Sequence, residues 1–175
     1  LPTSGNGYVN AGHFAWSPSG DTVAYGGDGL WIASVGTDPS SHALVYDGEA
    51  GYVEWSSGSP ARLAFTSAST GSTGLYSVAT DGTDLRLLAE GKQPKNANRQ
   101  SIIVNTDPYW SPSGTHLIYT EYEHLPPAGL AGGMIISLHR MQADGSNDEV
   151  LTSWNSNLEA DAPVRFKVGW EWVSN

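Results

Sequence analysis

The chain has 175 residues, with 8 Lys and Arg against 18 Asp and Glu, a formal net charge of -10 and no cysteine. The lack of cysteine excludes disulfide scaffolds, thiolate zinc sites and cysteine nucleophiles. The negative charge argues against nucleic acid as a partner. No apolar run approaches the ~20 residues of a membrane-spanning helix. We therefore expect a single domain over residues 1–175, without membrane insertion.

A short motif recurs along the chain. Residues 16–20 are Trp-Ser-Pro-Ser-Gly, residues 110–114 repeat them, and residues 55–58 carry a weaker copy. Pro fixes φ at the second position of a turn and Gly accepts a positive φ at its end, so each full copy predicts a tight turn. The Trp that opens each copy is interpreted as a residue that packs against a neighbouring unit.

Each motif opens a unit of four predicted strands. The apolar runs after the Trp strand are rich in β-branched and aromatic residues and are bounded by Gly, Ser, Pro and Asp. They lie at residues 22–25, 30–33 and 43–46, then at 63–66, 75–78 and 85–88, and then at 117–120, 134–138 and 149–152.

Four-stranded units repeated along a chain are typical of β-propeller blades. We therefore expect an all-β fold, a partial β-propeller of four-stranded antiparallel blades. Three full blades are predicted at about residues 13–50, 51–91 and 105–153, with the first strand of a fourth at 164–175.

The order Trp-Ser-Pro-x-Gly, Leu-Tyr-x-Val, Asp-Gly and Leu-x-x-Leu resembles the TolB-type propeller repeat. That repeat also occurs in the propeller domain of prolyl-oligopeptidase-type serine peptidases. The resemblance covers about residues 13–152, with a further opening at 168–170. The chain departs from the pattern at Ser57, where the motif has Pro, and at Trp170, which no Ser-Pro pair follows.

The resemblance implies a non-catalytic protein-interaction or scaffolding module in an extracytoplasmic compartment. The nucleophile-elbow pattern Gly-x-Ser-x-Gly is absent, so we expect no catalytic residues and no cofactor. Two alternatives stay open, because one fold serves many functions. One is the substrate-gating propeller of a serine peptidase, without its catalytic domain. The other is a propeller that binds sugar or metal at its channel mouth.

Three blades and one strand are too few for an ordinary ring, since propellers have at least four blades. An open ring would expose strand edges and apolar faces. We therefore expect the ring to be completed by a protein partner, by self-association or by further parts of a longer polypeptide.

The best binding candidates lie just before each opening Trp, at the start of the innermost strand. Side chains alternate along a strand, so the polar positions there share the face opposite the Trp. The alternative is that they only hydrogen-bond neighbouring blades. These channel-mouth candidates are His13, Tyr52, Glu54, Asp107, Tyr109 and Lys167.

Two insertions are expected to form loops, which often carry function. The basic one, at residues 91–107, suits an acidic partner, and the one at 121–133 has an apolar Pro-Pro tip. A solvated loop is the alternative for each. Their candidate binding residues are Lys92, Lys95, Arg99, Tyr122 and His124.

An acidic turn offers a weak calcium candidate at Asp144, Asn147 and Asp148. Oxygen ligands are what Ca²⁺ prefers, but the EF-hand spacing is missing and the flanks are predicted strands. A hairpin turn alone also accounts for these residues.

Overall fold

The computed structural model describes residues 13–38, 41–69, 72–92, 101–128 and 131–155. Within those ranges no helix has the length and apolar character to cross a bilayer. The twelve strands are β1 (Phe14–Trp16), β2 (Thr22–Tyr25), β3 (Gly29–Ser34), β4 (Ala43–Asp47), β5 (Gly51–Trp55), β6 (Arg62–Ser69), β7 (Ser72–Ala79), β8 (Arg86–Glu90), β9 (Ile102–Trp110), β10 (His116–Ala128), β11 (Ala131–Gln142) and β12 (Glu149–Asn155).

The strands form three antiparallel sheets of four, each paired in chain order. β1–β4 make the first sheet, β5–β8 the second and β9–β12 the third. The predicted all-β class and the four-stranded units are therefore confirmed. The third sheet begins at Ile102 rather than near residue 105 and extends to Asn155.

The motif serines close the first hairpin of every sheet. In each case the serine hydroxyl accepts a hydrogen bond from the backbone N–H of the first residue of the next strand. The pairs are Thr22 to Ser17 at 3.1 Å, Arg62 to Ser56 at 2.8 Å and His116 to Ser111 at 3.1 Å. Gly20 and Gly114 have φ of 75° and 67°, as the turn chemistry predicts.

A first hydrophobic cluster joins the first and second sheets. Ala24 and Leu30 of the first sheet pack against Val53, Phe65 and Val78 of the second. A single sheet cannot bury both of its faces alone, so this contact is what gives the first sheet a core.

A second cluster joins the second and third sheets. Ala64 and Leu75 of the second sheet pack against Trp110, Leu117 and Tyr119 of the third. The second sheet therefore lies between the other two, with one apolar face turned to each.

The three motif tryptophans have equivalent places but different surroundings. Trp55 packs on the cluster between the first and second sheets, and Trp110 is part of the cluster between the second and third. Each thus lies at a cluster shared with the preceding sheet, in agreement with the packing role interpreted for these residues. Trp16 has no preceding sheet among the described residues, and it is 54% exposed beside exposed Phe14.

The prediction of a loop at residues 121–133 is wrong. Most of these residues belong to β10 and β11, and Tyr122 pairs with Ile136 and His124 with Met134 in one antiparallel ladder. Backbone pairing between the two strands is uninterrupted as far as Leu125, so the ladder runs through the region that was predicted to be a loop. Tyr122 and His124 are thus strand residues.

The expected loop at residues 91–107 is shorter than predicted, because β9 begins at Ile102. Lys92 also forms an antiparallel bridge with Ile103, which ties the end of the second sheet to the third. Lys95, Arg99 and Lys167 lie outside the described residues, as does the predicted strand at 164–175.

Candidate functional site

Three residues with the same place in the repeat meet at one point. His13, Tyr52 and Asp107 each stand three residues before a motif Trp. They line one cavity of about 240 Å³, here called the inner-strand cavity. Its position follows from the contacts of β1 with β5 and of β5 with β9.

Local backbone irregularity turns these side chains toward the cavity. Tyr52 and Asp107 have φ of 46° and 51°, and the strand register shifts at both places. Such bulges re-aim side chains and are common next to functional sites. They also break the simple alternation assumed from the sequence, because Phe14, Val53 and Pro108 line the same cavity.

Five of the six channel-mouth candidates are brought together in this cavity. The sixth, Lys167, lies outside the described residues. The ring of His13 lies against that of Tyr52, with 4.6 Å between centroids and 49° between planes. The five candidates that line the cavity are His13, Tyr52, Glu54, Asp107 and Tyr109.

Burial and nearby negative charge raise the pKa values of three side chains in the site. Burial raises the pKa of Glu54 to about 7. Burial also raises the pKa of the Tyr109 hydroxyl, and the charges of Asp107 and Glu54 raise it further. The pKa of Tyr52 is raised by burial first and by Asp107 second. The tyrosines therefore stay neutral hydrogen-bond donors beside two carboxyl groups.

Chemically, the inner-strand cavity combines acceptor oxygens, phenol donors and aromatic rings. Carboxylates and tyrosine faces both attract cations. Among the described side chains that line it, two are carboxylic acids, Glu54 and Asp107, and His13 is the one basic group. Thus the arrangement suits a cationic group better than an anion.

No protein-family model matches the chain, and no curated protein does. The TolB-type resemblance therefore rests on the repeat motif, and the function must be argued from the site itself.

The other binding candidates lie apart from the lining of the cavity. Burial raises the pKa of Tyr122, with further contributions from Asp107 and Tyr52, so its hydroxyl is within electrostatic range of the site. His124 pairs across the third sheet with Ile102. Lys92 stands at the bridge between the second and third sheets.

The weak calcium candidate gains no support from the geometry. Asp144 accepts a hydrogen bond from the backbone N–H of Ser146 at 2.9 Å, which is ordinary hairpin chemistry. Asp148 accepts one from the Tyr119 hydroxyl at 2.9 Å. In the described ranges no group of three or more His, Asp or Glu side chains could hold a metal ion.

Two polar features were not found from the sequence. Buried Tyr119 and His139 form a hydrogen-bonded network with exposed Asp148, with 3.1 Å from His139 Nδ1 to Asp148 Oδ1. Asn105 is buried beside a second cavity and makes no hydrogen bond through its side chain to any described residue. No sequence motif marks either feature, because each depends on how separate strands pair.

Proposed function

We propose that the chain is part of a β-propeller and works as a non-catalytic interaction module outside the cytoplasm. The inner-strand cavity corresponds to the channel mouth and binds a basic segment of a protein partner. One observation carries the proposal: the equivalent residues His13, Tyr52 and Asp107 of the three units converge on one acidic, aromatic cavity.

The stacking of the sheets supports the propeller arrangement. The innermost strands β1, β5 and β9 contact one another in order, and the sheets pack face to face through two separate clusters. Radial stacking of four-stranded sheets about their first strands is how propeller blades are arranged.

The free face of the first sheet supports completion by another sheet. Trp55 and Trp110 each pack on a preceding sheet, whereas Trp16 and Phe14 are exposed at the equivalent place. A repeat that packs this position against another sheet in two units is expected to do so in the third. In the isolated chain, the sheet that covers Trp16 is supplied by a second copy.

The charge of the molecule favours a basic partner. The formal net charge is -10, and Glu54 and Asp107 face the cavity. Complementary charge steers association and is weakened by salt. The tyrosine rings add aromatic faces on which an arginine side chain stacks.

The proposal is tested with a short capped peptide that contains two arginines, titrated by NMR or calorimetry. We expect Asp107→Asn to weaken its binding about fivefold, because one partly buried charge partner is lost. We expect added salt to weaken it further. Asp81→Asn removes the same charge from an exposed hairpin turn and is the matched control, with binding unchanged.

Two outcomes would contradict the proposed site. One is equal binding of a matched peptide with two glutamates in place of the arginines. The other is a loss of affinity in Asp81→Asn as large as in Asp107→Asn, which would indicate an effect of net charge rather than of the cavity.

A further inference from the structure

Both ends of the stack of sheets are open in the part of the chain that the structure describes. At one end the first sheet exposes Trp16 and Phe14, which are 54% and 58% exposed. We call this surface the leading face. At the other end, no hydrophobic cluster of described residues joins the third sheet to a strand on the side remote from the second sheet. We call that side of the third sheet the trailing face.

Each sheet has an equivalent set of three residues on the side of the next sheet. The strand register defines the set, with one residue on the second strand, one on the third strand and one at the register shift of the fourth strand. In the first two sheets all three residues belong to the cluster shared with the next sheet. The sets are Ala24, Leu30 and Val45, then Ala64, Leu75 and Leu88, and then Ile118, Leu138 and Leu151.

The third set differs from the other two because its fourth-strand residue is uncovered. Leu151 is 48% exposed, whereas Val45 and Leu88 are 8% and 9% exposed. Ile118 and Leu138 are 8% and 7% exposed, whereas their counterparts in the first two sheets are at 0%. The trailing face therefore keeps apolar surface that the first two sheets bury against the sheet that follows.

Within the chain, a turn of the following sheet covers the fourth-strand residue in both contacts. A Cβ placed on Gly82 would lie 3.7 Å from the Cα of Val45, and one placed on Gly145 would lie 3.2 Å from the Cα of Leu88. Both glycines lie in the turn between the third and fourth strands of their sheet. This turn is therefore part of the contact between neighbouring sheets.

Thr37 has the same place in the turn of the first sheet. Its backbone N–H donates to the carbonyl of Ser34, the last residue of β3, and the N–H groups of Gly82 and Gly145 make the same turn bond. Thr37 is exposed, and a Cβ added to the neighbouring Gly36 would meet no described atom within 4 Å. The first sheet thus has the turn that covers a preceding sheet, and the third sheet has the residue that such a turn covers.

We propose that two copies of the chain associate head to tail, with the leading face of each copy packed on the trailing face of the other. This inference rests on the proposed association of the chain through Trp16, and it names the surface that receives this residue. In the contact, Trp16 of one copy packs at Ile118 and Leu138 of the other, and the turn at Thr37 covers Leu151.

The number of sheets favours a pair of chains. Propellers typically have about four to eight blades. One chain has three described sheets of four strands, so two copies supply six and three copies supply nine. Of these numbers, only six lies in the usual range. In a pair, both faces of each copy are used, so the assembly closes and does not grow into a filament.

Because the chain has no cysteine, the contact can be tested by a specific disulfide. Thr37→Cys and Leu151→Cys are made in separate full-length chains, one of which carries a tag, and the two are mixed and oxidised. The equivalent positions inside the chain are close enough for such a bond. We expect a mixed disulfide pair, about tenfold more abundant than with Leu87→Cys in place of Leu151→Cys. Leu87 is the matched control, since it is 51% exposed but belongs to the middle sheet.

A charge on the trailing face tests the same contact without a cross-link. We expect Leu151→Asp to raise the dissociation constant of the pair by about tenfold or more, because a carboxylate is unfavourable in an apolar contact. Leu87→Asp should change it by less than about twofold. A mixture of Leu151→Asp with Trp16→Ser should recover part of the association, since Trp16 of one variant can still pack on the intact trailing face of the other.

Three results would overturn the head-to-tail contact while leaving association through Trp16 in place. One is a parent that associates and a Leu151→Asp variant that associates equally well. Another is Thr37→Cys alone forming as much disulfide as the mixture, which indicates that two leading faces meet. The third is a Leu151→Asp variant that loses stability at the single-chain mass, with unchanged association, which indicates that residues 156–175 cover the trailing face. A parent that stays a single chain at every concentration would instead contradict the proposed association itself.

Discussion

Replacing Trp110 by alanine is expected to lower the free energy of unfolding by about 3–5 kcal/mol. Trp110 is 5% exposed within the cluster that joins the second and third sheets. Its removal leaves a cavity between Leu75 and Leu117, and the surrounding side chains can refill that space only in part. Urea denaturation followed by far-ultraviolet circular dichroism measures the change.

The repeat supplies a matched control for this experiment. Trp16 occupies the same place in the first unit but is exposed, so Trp16→Ala should cost less than about 1 kcal/mol. Both variants are measured at the lowest usable concentration, where association contributes least to stability. Equal losses in the two variants would show that the first sheet already has a buried partner face in the isolated chain.

The second large effect is a pH dependence that originates at Glu54. Burial raises the pKa of this carboxyl from its ordinary 4.5 to about 7 in the folded protein. Between these values the folded state holds a proton that the unfolded state releases. Stability therefore falls as pH rises from about 4.5 to 7 and levels off above 7. We expect this one group to remove about 2–3 kcal/mol over that window.

Glu54→Gln isolates this contribution because the amide cannot ionise. Relative to the parent, the variant should gain about 2–3 kcal/mol between pH 4.5 and 8 in urea denaturation. Glu49→Gln makes the same chemical change at an exposed residue and should follow the parent profile. Parallel profiles for Glu54→Gln and the parent would refute the account of a buried carboxyl at the cavity.

Much of the local architecture could be predicted because turn chemistry is local. Trp-Ser-Pro-Ser-Gly encodes its own hairpin, through a proline, a glycine at positive φ and a serine that accepts the next strand's N–H. The sequence did not predict the long β10–β11 ladder, because that ladder depends on pairing between residues far apart in the chain. Pro126 and Pro127 suggested a break, whereas pairing between distant residues such as Glu121 and Ser137 keeps the strands together.

The candidate site could be predicted only in part. Position within the repeat identified His13, Tyr52 and Asp107, because equivalent residues of stacked units lie near one another. The bulges that aim Tyr52 and Asp107 leave no mark in the sequence, since neither residue is a glycine. The burial of Asn105 depends on how the second sheet packs on the third, so no local pattern could reveal it.

The state of Trp16 is the clearest consequence of the repeat. Its counterparts Trp55 and Trp110 each lie at a cluster shared with the preceding sheet, whereas Trp16 is exposed among the described residues. Exposed apolar sheet faces with unpaired edges associate readily. The exposure of Trp16 is therefore the observation behind our proposal that another sheet completes the stack.

The solution mass of the isolated chain, measured by light scattering over a wide range of concentration, tests this directly. The account predicts that the parent associates into multiples of 18.6 kDa, and that Trp16→Ser shifts it toward the single-chain mass. The variant should keep the circular dichroism spectrum of the parent, because Trp16 lies outside both clusters. A parent chain that stays at 18.6 kDa at every concentration would contradict the account.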